Sequence, residues 1–357
     1  MDQMTVGEIP KGKFSGACLE KSHMPLEIIE LDFPESLTEK QVLVKNIFSS
    51  ICGSQIGEID AKKGPDKFLP HLLGHEAVSE VVAIGSEVSE VKIGDTVILH
   101  WMKGKGGQAL DHSLVSGKRK INAGPITTFS EYSLVSENRC TRIQTTLKLE
   151  NLPLFGCSVT TAYGSLINDA KVNSNDALVV LGLGALGMWT LEMSRIFKVS
   201  SLIGIDTLEN RVSRAQKLGF ASEQWNFSGD EPEIIRLFKG RNASKRLVLM
   251  DTTGSVDVIN KAFEWIQGEG VMVLIGVTPN LQKITIDPMP LHFGAKIVGS
   301  FGGSILPQSD IPYLVRMAEE EQFQMEIMEK SFFDLSEINQ AIELLRSGST
   351  NKMILKF

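Results

Sequence analysis

A glycine-rich hexapeptide in the middle of the chain constrains the fold most, because its surroundings dictate a strand, a tight turn and a helix in succession. Residues 182–187, Gly-Leu-Gly-Ala-Leu-Gly, match the pattern G-x-G-x-x-G. The continuous apolar run 177–181 precedes them, as expected for a strand buried on both faces. Residues 185–197 follow with the apolar spacing of a helix. This context predicts a dinucleotide-binding turn rather than a chance cluster of glycines.

Each glycine of the hexapeptide has a physical role. Gly182 permits the tight turn, Gly184 lets the backbone approach a pyrophosphate, and Gly187 lets the helix pack closely with its N-terminus directed at the phosphates. Asp206 ends the next strand, where its carboxylate would accept hydrogen bonds from the adenosine ribose and repel a 2′-phosphate. Arg211 either lines the adenine side of the pocket or assists a 2′-phosphate. We therefore predict NAD rather than NADP, in a Rossmann fold.

Two alternatives to this interpretation stay open at the level of sequence. A Rossmann-like domain can bind a different ligand, such as S-adenosylmethionine. A glycine-rich turn can also have a packing role alone.

The secondary-structure pattern of the sequence differs between its two halves. Residues 1–150 contain short β-type runs broken by glycine, which predicts a β-rich domain such as a distorted barrel; these runs are 41–47, 77–84, 96–100 and 131–135. Beyond about residue 160, strands and helices alternate, which predicts βαβ units around a parallel sheet. The predicted strands are 177–181, 201–205, 246–250 and 271–275, and the helices 185–197, 209–218 and 256–266. Helices at 311–319 and 335–346 and a strand at 353–357 end the chain.

Composition and charge exclude several classes of protein. The 43 acidic and 36 basic side chains give a net charge of −7, unlike the basic surface of a general nucleic-acid binder. The longest weakly polar run, 177–189, falls short of the roughly 20 residues of a membrane-spanning helix. The N-terminus lacks the apolar core of a signal peptide, and four cysteines are too few for a disulfide scaffold. We predict a soluble cytoplasmic enzyme that binds neither nucleic acid nor membrane.

Cys52, His75 and Cys157 are candidate metal ligands. They are far apart in sequence, yet each lies in a distinctive context: Ile-Cys-Gly-Ser, Gly-His-Glu and Phe-Gly-Cys-Ser. Two thiolates and an imidazole fill three positions of a tetrahedral zinc and leave the fourth open, which is typical of a catalytic site. The alternative is a pair of buried thiols and a satisfied core histidine. For Cys18 and Cys140, simple burial is the preferred interpretation.

With these motifs in view, the chain resembles the zinc-dependent alcohol dehydrogenases of the medium-chain dehydrogenase/reductase superfamily, known for a Cys₂His zinc site, over nearly its whole length. The matching segments are 74–78 (Gly-His-Glu-Ala-Val), 91–95 (Val-Lys-Ile-Gly-Asp), 157–164 (Cys-Ser-Val-Thr-Thr-Ala-Tyr-Gly), 182–187 and 333–348. The resemblance implies an α/β protein with a GroES-like β-rich catalytic domain (1–158 and 300–357) and a Rossmann doubly wound parallel sheet (159–299). It also implies a homodimer or homotetramer.

The activity implied by the resemblance is reversible oxidation of an alcohol to a carbonyl, with one catalytic Zn²⁺ per subunit as Lewis acid and NAD as hydride acceptor. Glu76 would transiently ligate the metal, and Lys352 would contact the coenzyme pyrophosphate. Ser54 would take the alcohol proton, unless it is only a turn serine. Relatives relay this proton through a histidine whose position is occupied here by Gly57.

Two further departures from the family pattern concern metal binding. The structural zinc of the family needs four closely spaced cysteines, and residues 99–128 contain none. We therefore predict that this second zinc is absent. Gln55 replaces the acid that orients the zinc histidine, and its amide oxygen would accept from an imidazole N–H.

The substrate pocket is less defined by sequence. The resemblance places Trp101 in its wall and Thr161 and Leu186 against the nicotinamide, although plain packing would also account for all three. Segments 62–67 and 100–120 hold eight basic residues and two acids. Such a local positive field would attract a polar or anionic alcohol, polyol or sugar derivative. A solvated surface loop is the alternative.

Two other functions compete with a zinc- and NAD-dependent dehydrogenase. A zinc-free, NADPH-dependent reductase of the same superfamily has no need for both cysteines. A non-catalytic binding protein on the same scaffold would be expected to have lost a ligand or a glycine. The complete set of candidate residues disfavours both.

Overall fold

The computed structural model describes residues 5–199, 201–227 and 232–357. The chain divides into two compact units. Unit 1 comprises Met1–Thr160, Leu306–Glu321 and Lys330–Phe357, and unit 2 comprises Thr161–Ile305 and Gln322–Glu329. The first unit therefore takes in both ends of the chain.

The strands of the described residues are, in chain order, β1 Thr5–Val6, β2 Lys13–Leu19, β3 Glu27–Asp32, β4 Gln41–Ser50, β5 His71–Leu72, β6 Ala77–Gly85, β7 Thr96–Leu99, β8 Ser113–Ser116, β9 Arg119–Asn122, β10 Tyr132–Ser136, β11 Cys140–Arg142, β12 Ala177–Leu181, β13 Ser201–Asp206, β14 Ser222–Gln224, β15 Leu247–Asp251, β16 Val271–Leu274, β17 Lys296–Gly299, β18 Lys330–Asp334 and β19 Lys352–Lys356. The α-helices are α1 Gly53–Ile59, α2 Ser158–Gly164, α3 Ala185–Ile196, α4 Glu209–Lys217, α5 Glu233–Arg241, α6 Val256–Phe263, α7 Met289–His292, α8 Pro307–Glu319 and α9 Ile338–Arg346. Shorter helical turns include 3-10 segments at Glu137–Arg139 and Leu149–Gly156.

Unit 1 is built from a closed barrel and a sheet. Strands β2, β3, β8, β9 and β5 close the barrel, and the sheet follows the order β11-β7-β6-β4-β19-β18, with β1 on β6 and β10 on β4. The final strand β19 pairs antiparallel with β4, opposite Ser50. This pairing brings the C-terminus beside the strand that leads into Cys52. The prediction of a distorted β-rich barrel domain is confirmed.

Unit 2 contains a six-stranded, all-parallel sheet in the order β14-β13-β12-β15-β16-β17. Its central strand β12 is fully buried, as its continuous apolar sequence predicts. The strand order reverses at β12, between β13 and β15, which is the position where doubly wound sheets bind ligands at their carboxyl ends. The predicted Rossmann sheet is confirmed.

Most predicted elements differ from the observed ones by one to three residues at their ends. The strand predicted from residue 246 begins at Leu247; the backbone oxygen of Arg246 still accepts a hydrogen bond from the Ala177 N–H at 2.9 Å, and its side chain forms an ion pair with Asp176 at 2.6 Å. Several elements were not predicted: they include the barrel strands β2, β3, β5, β8 and β9 and helix α1 in unit 1, and strands β14 and β17 and helix α5 in unit 2. Among the described residues, no helix is both long and apolar enough to cross a membrane.

Candidate active site

The three candidate metal ligands converge in unit 1. Cys52 caps the N-terminus of α1, His75 lies between β5 and β6, and Cys157 follows the 3-10 helix Leu149–Gly156. Their ligand atoms all lie within 4.8 Å of one another. Two glycines make this approach possible: Gly74 has φ +89°, and a Cβ on Gly156 would lie 2.3 Å from the carbonyl oxygen of Leu99. Residues distant in sequence therefore form one compact donor set.

The two thiols of this set have opposite pKa shifts. The thiol of Cys157, through its hydrogen bond to Cys52, holds the pKa of Cys52 well below its usual range despite burial, and His75 and Lys352 act in the same direction. The pKa of Cys157 lies well above its usual range, because its thiol is hydrogen-bonded to Cys52 and is buried. A second thiolate therefore needs an added positive charge, which a divalent cation provides.

His75 is held by a hydrogen bond on one side of its ring. The side-chain amide of Gln55 lies 2.8 Å from Nδ1 and also donates to Glu58, at 3.3 Å. Burial alone would lower the pKa of His75, but Cys52, Glu76 and Glu58 raise it. Gln55 Oε1 has no hydrogen-bond partner within the described chain. The sequence predicts that Gln55 Oε1 accepts from the His75 ring, whereas the structure places the amide nitrogen Nε2 beside Nδ1. Rotating the Gln55 amide by 180° exchanges its oxygen and nitrogen and gives the predicted contact.

Glu76 and Lys352 form a buried ion pair beside the donor set. Lys352 Nζ lies 2.9 Å from Glu76 Oε1, with side-chain exposures of 3% and 0%. Burial raises the pKa of Glu76 despite the lysine. Burial alone would lower the pKa of Lys352, but the charges of Glu76 and Cys52 raise it. The sequence did not reveal this pair, since 276 residues separate its members. The predicted contact of Lys352 with a pyrophosphate stays a prediction.

Several buried polar atoms at this centre have no hydrogen-bond partner in the part of the chain that is described. They include His75 Nε2, Glu76 Oε2 and the hydroxyl of Ser54, which lies in the first turn of α1. Buried polar atoms are normally paired, so such a group indicates a missing ligand. Two sulfurs and a free imidazole nitrogen are the donor chemistry of Zn²⁺. The residues present therefore fit a zinc ion.

Cys52, His75 and Cys157 are the one group of at least three potential ligands that the described residues bring together. Cys18 and Cys140 are buried elsewhere. Burial, with the nearby Glu20, raises the pKa of Cys18 to about 12. Both residues are packing cysteines, in agreement with the preferred interpretation.

The glycine-rich turn in unit 2 has the geometry that its motif predicts. Gly182 has φ +89°, and a Cβ on Gly187 would lie 1.8 Å from the carbonyl oxygen of Gly182, so only glycine allows this close packing. Gly184 caps the N-terminus of α3. A Cβ there would meet nothing nearer than an Arg211 nitrogen, at 3.9 Å. The backbone beside Gly184 is open and fits a bound pyrophosphate.

Asp206 is fixed at the carboxyl end of β13, next to this turn. Its two carboxylate oxygens accept hydrogen bonds from the backbone N–H of Leu183 at 2.6 Å and of Leu208 at 2.8 Å. Arg211 lies 3.5 Å from the same carboxylate. Asp206 and Arg211 therefore lie side by side next to the glycine-rich turn, and each oxygen of the Asp206 carboxylate keeps a lone pair for a further donor.

The remaining predicted residues lie in different units. Trp101 is half-buried in unit 1, and its backbone oxygen accepts a hydrogen bond from Arg139 at 2.5 Å. In unit 2, Thr161 is buried in α2 and Leu186 is half-buried at the start of α3. Sequence reasoning missed Glu58, because the helix α1 that places it three residues after Gln55 was not predicted.

Two family models match the chain. The alcohol dehydrogenase GroES-like domain matches residues 38–145, and the zinc-binding dehydrogenase domain matches residues 185–320. Among curated relatives, an S-(hydroxymethyl)glutathione dehydrogenase of Haemophilus influenzae is 28% identical, covering 94% of this chain and 95% of that protein. Alcohol dehydrogenase 1 of Oryza sativa subsp. indica is 27% identical, with 99% of each chain covered.

Solved structures have the same fold. The crystal structure of benzyl alcohol dehydrogenase from Acinetobacter calcoaceticus superposes with a TM-score of 0.85 at 24% identity, covering 97% of this chain and 99% of that one. An alcohol dehydrogenase zinc-binding domain protein from Burkholderia ambifaria gives 0.86 at 23% identity, with the same coverage. The matches in sequence, together with the thiol–imidazole donor set, show that this chain belongs to the zinc-type alcohol dehydrogenase family of the medium-chain dehydrogenase/reductase superfamily.

Proposed function

We propose that this protein is a zinc- and NAD-dependent dehydrogenase that interconverts a polar alcohol and its carbonyl compound. The observation that carries the proposal is the buried set of Cys52, His75 and Cys157, whose ligand atoms lie within 4.8 Å of one another. Bound zinc supplies a Lewis acid that lowers the pKa of an alcohol, and NAD accepts the hydride. The side chains and backbone of this protein position the metal, the coenzyme and the proton acceptor.

The side chains around the metal position it and balance its charge. Cys52 and Cys157 would bind as thiolates and His75 through Nε2, the ring nitrogen without a partner among the described residues. Gln55 holds Nδ1 of the same ring, at 2.8 Å. Glu76 offers its unpaired oxygen as an additional, transient ligand, while Lys352 neutralises the other oxygen.

Ser54 is the proposed first acceptor of the alcohol proton. Its hydroxyl is buried, lies two residues after Cys52, and lacks a hydrogen-bond partner in the described ranges. Gly57 stands where relatives carry a relay histidine, so the next acceptor is a ribose hydroxyl or water.

In unit 2, the coenzyme would bind along the glycine-rich turn. The open backbone beside Gly184 would receive the pyrophosphate, and the packing of Gly182 against Gly187 brings the N-terminus of α3 close. Asp206 would accept the ribose hydroxyls and Arg211 would line the adenine side. Thr161 and Leu186 are assigned to the nicotinamide, and Lys352 to the pyrophosphate, by the family resemblance alone.

The substrate class is inferred from charge. Lys103 and Lys105 are exposed in the segment that carries Trp101, whereas Arg119 is paired with Glu20 and Lys120 lies 3.6 Å from Asp111. The partial pairing weakens the positive field without removing it. A polyol, sugar derivative or other polar or anionic alcohol would benefit from the remaining field.

We further propose self-association through unit 2. Strand β17 is an edge of the six-stranded sheet, and an unpaired edge is a template for another strand. Large apolar side chains nearby are exposed: Val277 (61%), Leu281 (89%), Met289 (56%) and Phe293 (71%). A contiguous apolar patch at a sheet edge is typical of an interface between subunits, and we propose that these side chains form one. A cytoplasmic location stays a prediction.

The function is tested by NADH formation on a panel of alcohols with zinc-loaded and chelator-treated enzyme. We expect activity that needs zinc and is greatest on polyols or sugar alcohols. Turnover that persists without metal and prefers NADPH would instead indicate a zinc-free reductase. No turnover on any alcohol, with NAD and zinc both bound, would indicate a non-catalytic binding protein.

The substrate class is tested by kcat/KM for charged and neutral polyols of similar size at low and high salt. Added salt should reduce the preference for an anionic substrate. If short aliphatic alcohols are the best substrates, or salt leaves the ranking unchanged, the basic segments have no role in substrate choice.

A further inference from the structure

Residues 101–109, here called the lobe segment, contain no described helix or strand, yet they are held at several points. The segment begins with Trp101 and lies within the cysteine-free stretch 99–128. The segment is part of the connection 100–112 between β7 and β8, whose length without a strand or helix is uncommon in an ordered domain unless the loop is functional. Its support comes from the turn Ser136–Arg139, which packs against the lobe segment within unit 1.

Glu137 is the first point of attachment. Its carboxylate is fully buried and accepts the backbone N–H of Gly107 at 2.6 Å on one oxygen, and of Ser89 and Glu90 at 2.5 and 2.8 Å on the other. Burial alone would raise its pKa, but these N–H groups bring the pKa below its usual range. Gly106 has φ +88°, and a Cβ there would lie 2.6 Å from Glu137 Cδ. The lobe segment is therefore shaped to fit around this carboxylate.

Arg139 and Ser136 provide the other attachments. The Arg139 guanidinium donates to the backbone oxygen of Trp101 at 2.5 Å and to Gln108 Oε1 at 3.3 Å. The Ser136 hydroxyl accepts from the Gln108 amide at 2.8 Å and from the backbone N–H of Ala109 at 3.0 Å. One turn thus binds both ends of the segment through a buried anion and a buried cation, and the backbone oxygen of Asn138 accepts from the N–H of Gly104, near the middle, at 2.9 Å.

We propose that residues 136–139 form a metal-free clasp that fixes the lobe segment, and that Glu137 and Arg139 are positioning residues for the substrate side of the active site. They act through Trp101: Arg139 holds its backbone oxygen directly, and Glu137 holds the end of the same segment at Gly107. The inference rests on the proposed function, because Trp101 is assigned there to the wall of the pocket. The new element is that Glu137 and Arg139, which contact no substrate, keep the Trp101 wall of the pocket in place.

The variant Glu137→Gln tests the clasp. Backbone N–H groups donate to both carboxylate oxygens of Glu137, and in glutamine one of these oxygens is replaced by an NH₂ group, which cannot accept a hydrogen bond. We expect trypsin to cleave after Lys103 and Lys105 about tenfold faster or more, as the loss of charge-assisted hydrogen bonds opens the segment. KM for the alcohol should rise, while KM for NAD and the zinc content stay unchanged. Arg139→Lys, which retains one donor, should give an intermediate cleavage rate. The matched control is Glu319→Gln, which removes a carboxylate that accepts the backbone N–H of Thr146 at 2.7 Å.

Cleavage of the Glu137→Gln and Arg139→Lys proteins at the wild-type rate would overturn the clasp. The clasp would also be overturned if chelation made trypsin cleave the wild-type lobe segment as fast as it cleaves the Glu137→Gln protein. The order of the segment would then depend on metal. Zinc content reports whether each variant is folded. Failure of the proposed function would appear as a wild-type enzyme without alcohol turnover and would leave the cleavage result intact.

Discussion

The metal centre of unit 1 and the glycine-rich turn of unit 2 are built in opposite ways. The metal centre consists of side chains from distant parts of the sequence, surrounded by buried charges such as the Glu76–Lys352 pair at 2.9 Å. The turn consists of backbone, and its key property is the absence of side chains at Gly182, Gly184 and Gly187. A side-chain site fails when one group is removed, whereas a backbone site fails when one is added. This difference predicts separable losses of function.

The largest effect is expected at the metal ligands. Replacing Cys52, His75 or Cys157 by alanine should remove zinc and lower kcat/KM by about 10³-fold or more, since the metal supplies several kcal/mol of transition-state stabilisation. NAD binding, followed by fluorescence titration, should be retained. A ligand variant with normal zinc content and turnover would show that the donor set is only a buried cluster.

Ser54→Ala should lower kcat by about 10²-fold, the contribution of a positioned proton acceptor. The buried hydroxyl has no partner in the described chain, so its removal should leave the fold and the zinc content unchanged. Ser158→Ala, which removes a hydroxyl that donates to Leu154 O at 3.4 Å, is a matched control. Near-normal kcat in the Ser54 variant would reduce this serine to a structural role.

Gly184→Val adds a side chain to the turn. The protein has room for its Cβ, but a bound pyrophosphate would collide with it, so affinity for NAD should fall roughly ten- to 100-fold. Zinc content should be unaffected. Unchanged affinity would place the pyrophosphate elsewhere, and loss of zinc together with NAD would show that the two sites are not independent.

The smallest effect is expected in the choice of coenzyme. The wild-type enzyme should prefer NAD to NADP by at least about tenfold in kcat/KM. Asp206→Ala should reduce the preference for NAD over NADP, because the variant lacks the carboxylate, next to Arg211, that repels a 2′-phosphate. Glu209→Ala, on the first turn of α4, serves as a control for a nearby charge. A wild-type preference for NADP would contradict the role of Asp206.

The same contrast explains what could be predicted from sequence. The turn is local, so one hexapeptide and its flanking strand specify β12, Gly182–Gly187 and α3 with almost no error. The metal ligands were predicted from short contexts and a family resemblance, because no spacing links residues 52, 75 and 157. Lys352 could not be placed beside Glu76, since that contact depends on β19 joining β4. Nor could Glu137 be found, because a single acid on a surface-like turn carries no pattern.

We propose that unit 1 binds one zinc through Cys52, His75 and Cys157 and that the cysteine-free stretch 99–128 binds none. Elemental mass spectrometry of zinc per chain, in wild-type and Cys157→Ser protein after dialysis against a weak chelator, tests it most directly. We expect about one zinc in the wild type and about none in the variant, because one of the three protein ligands is lost. Two zincs or none in the metal-supplemented wild type, or one still bound in the variant, would contradict it.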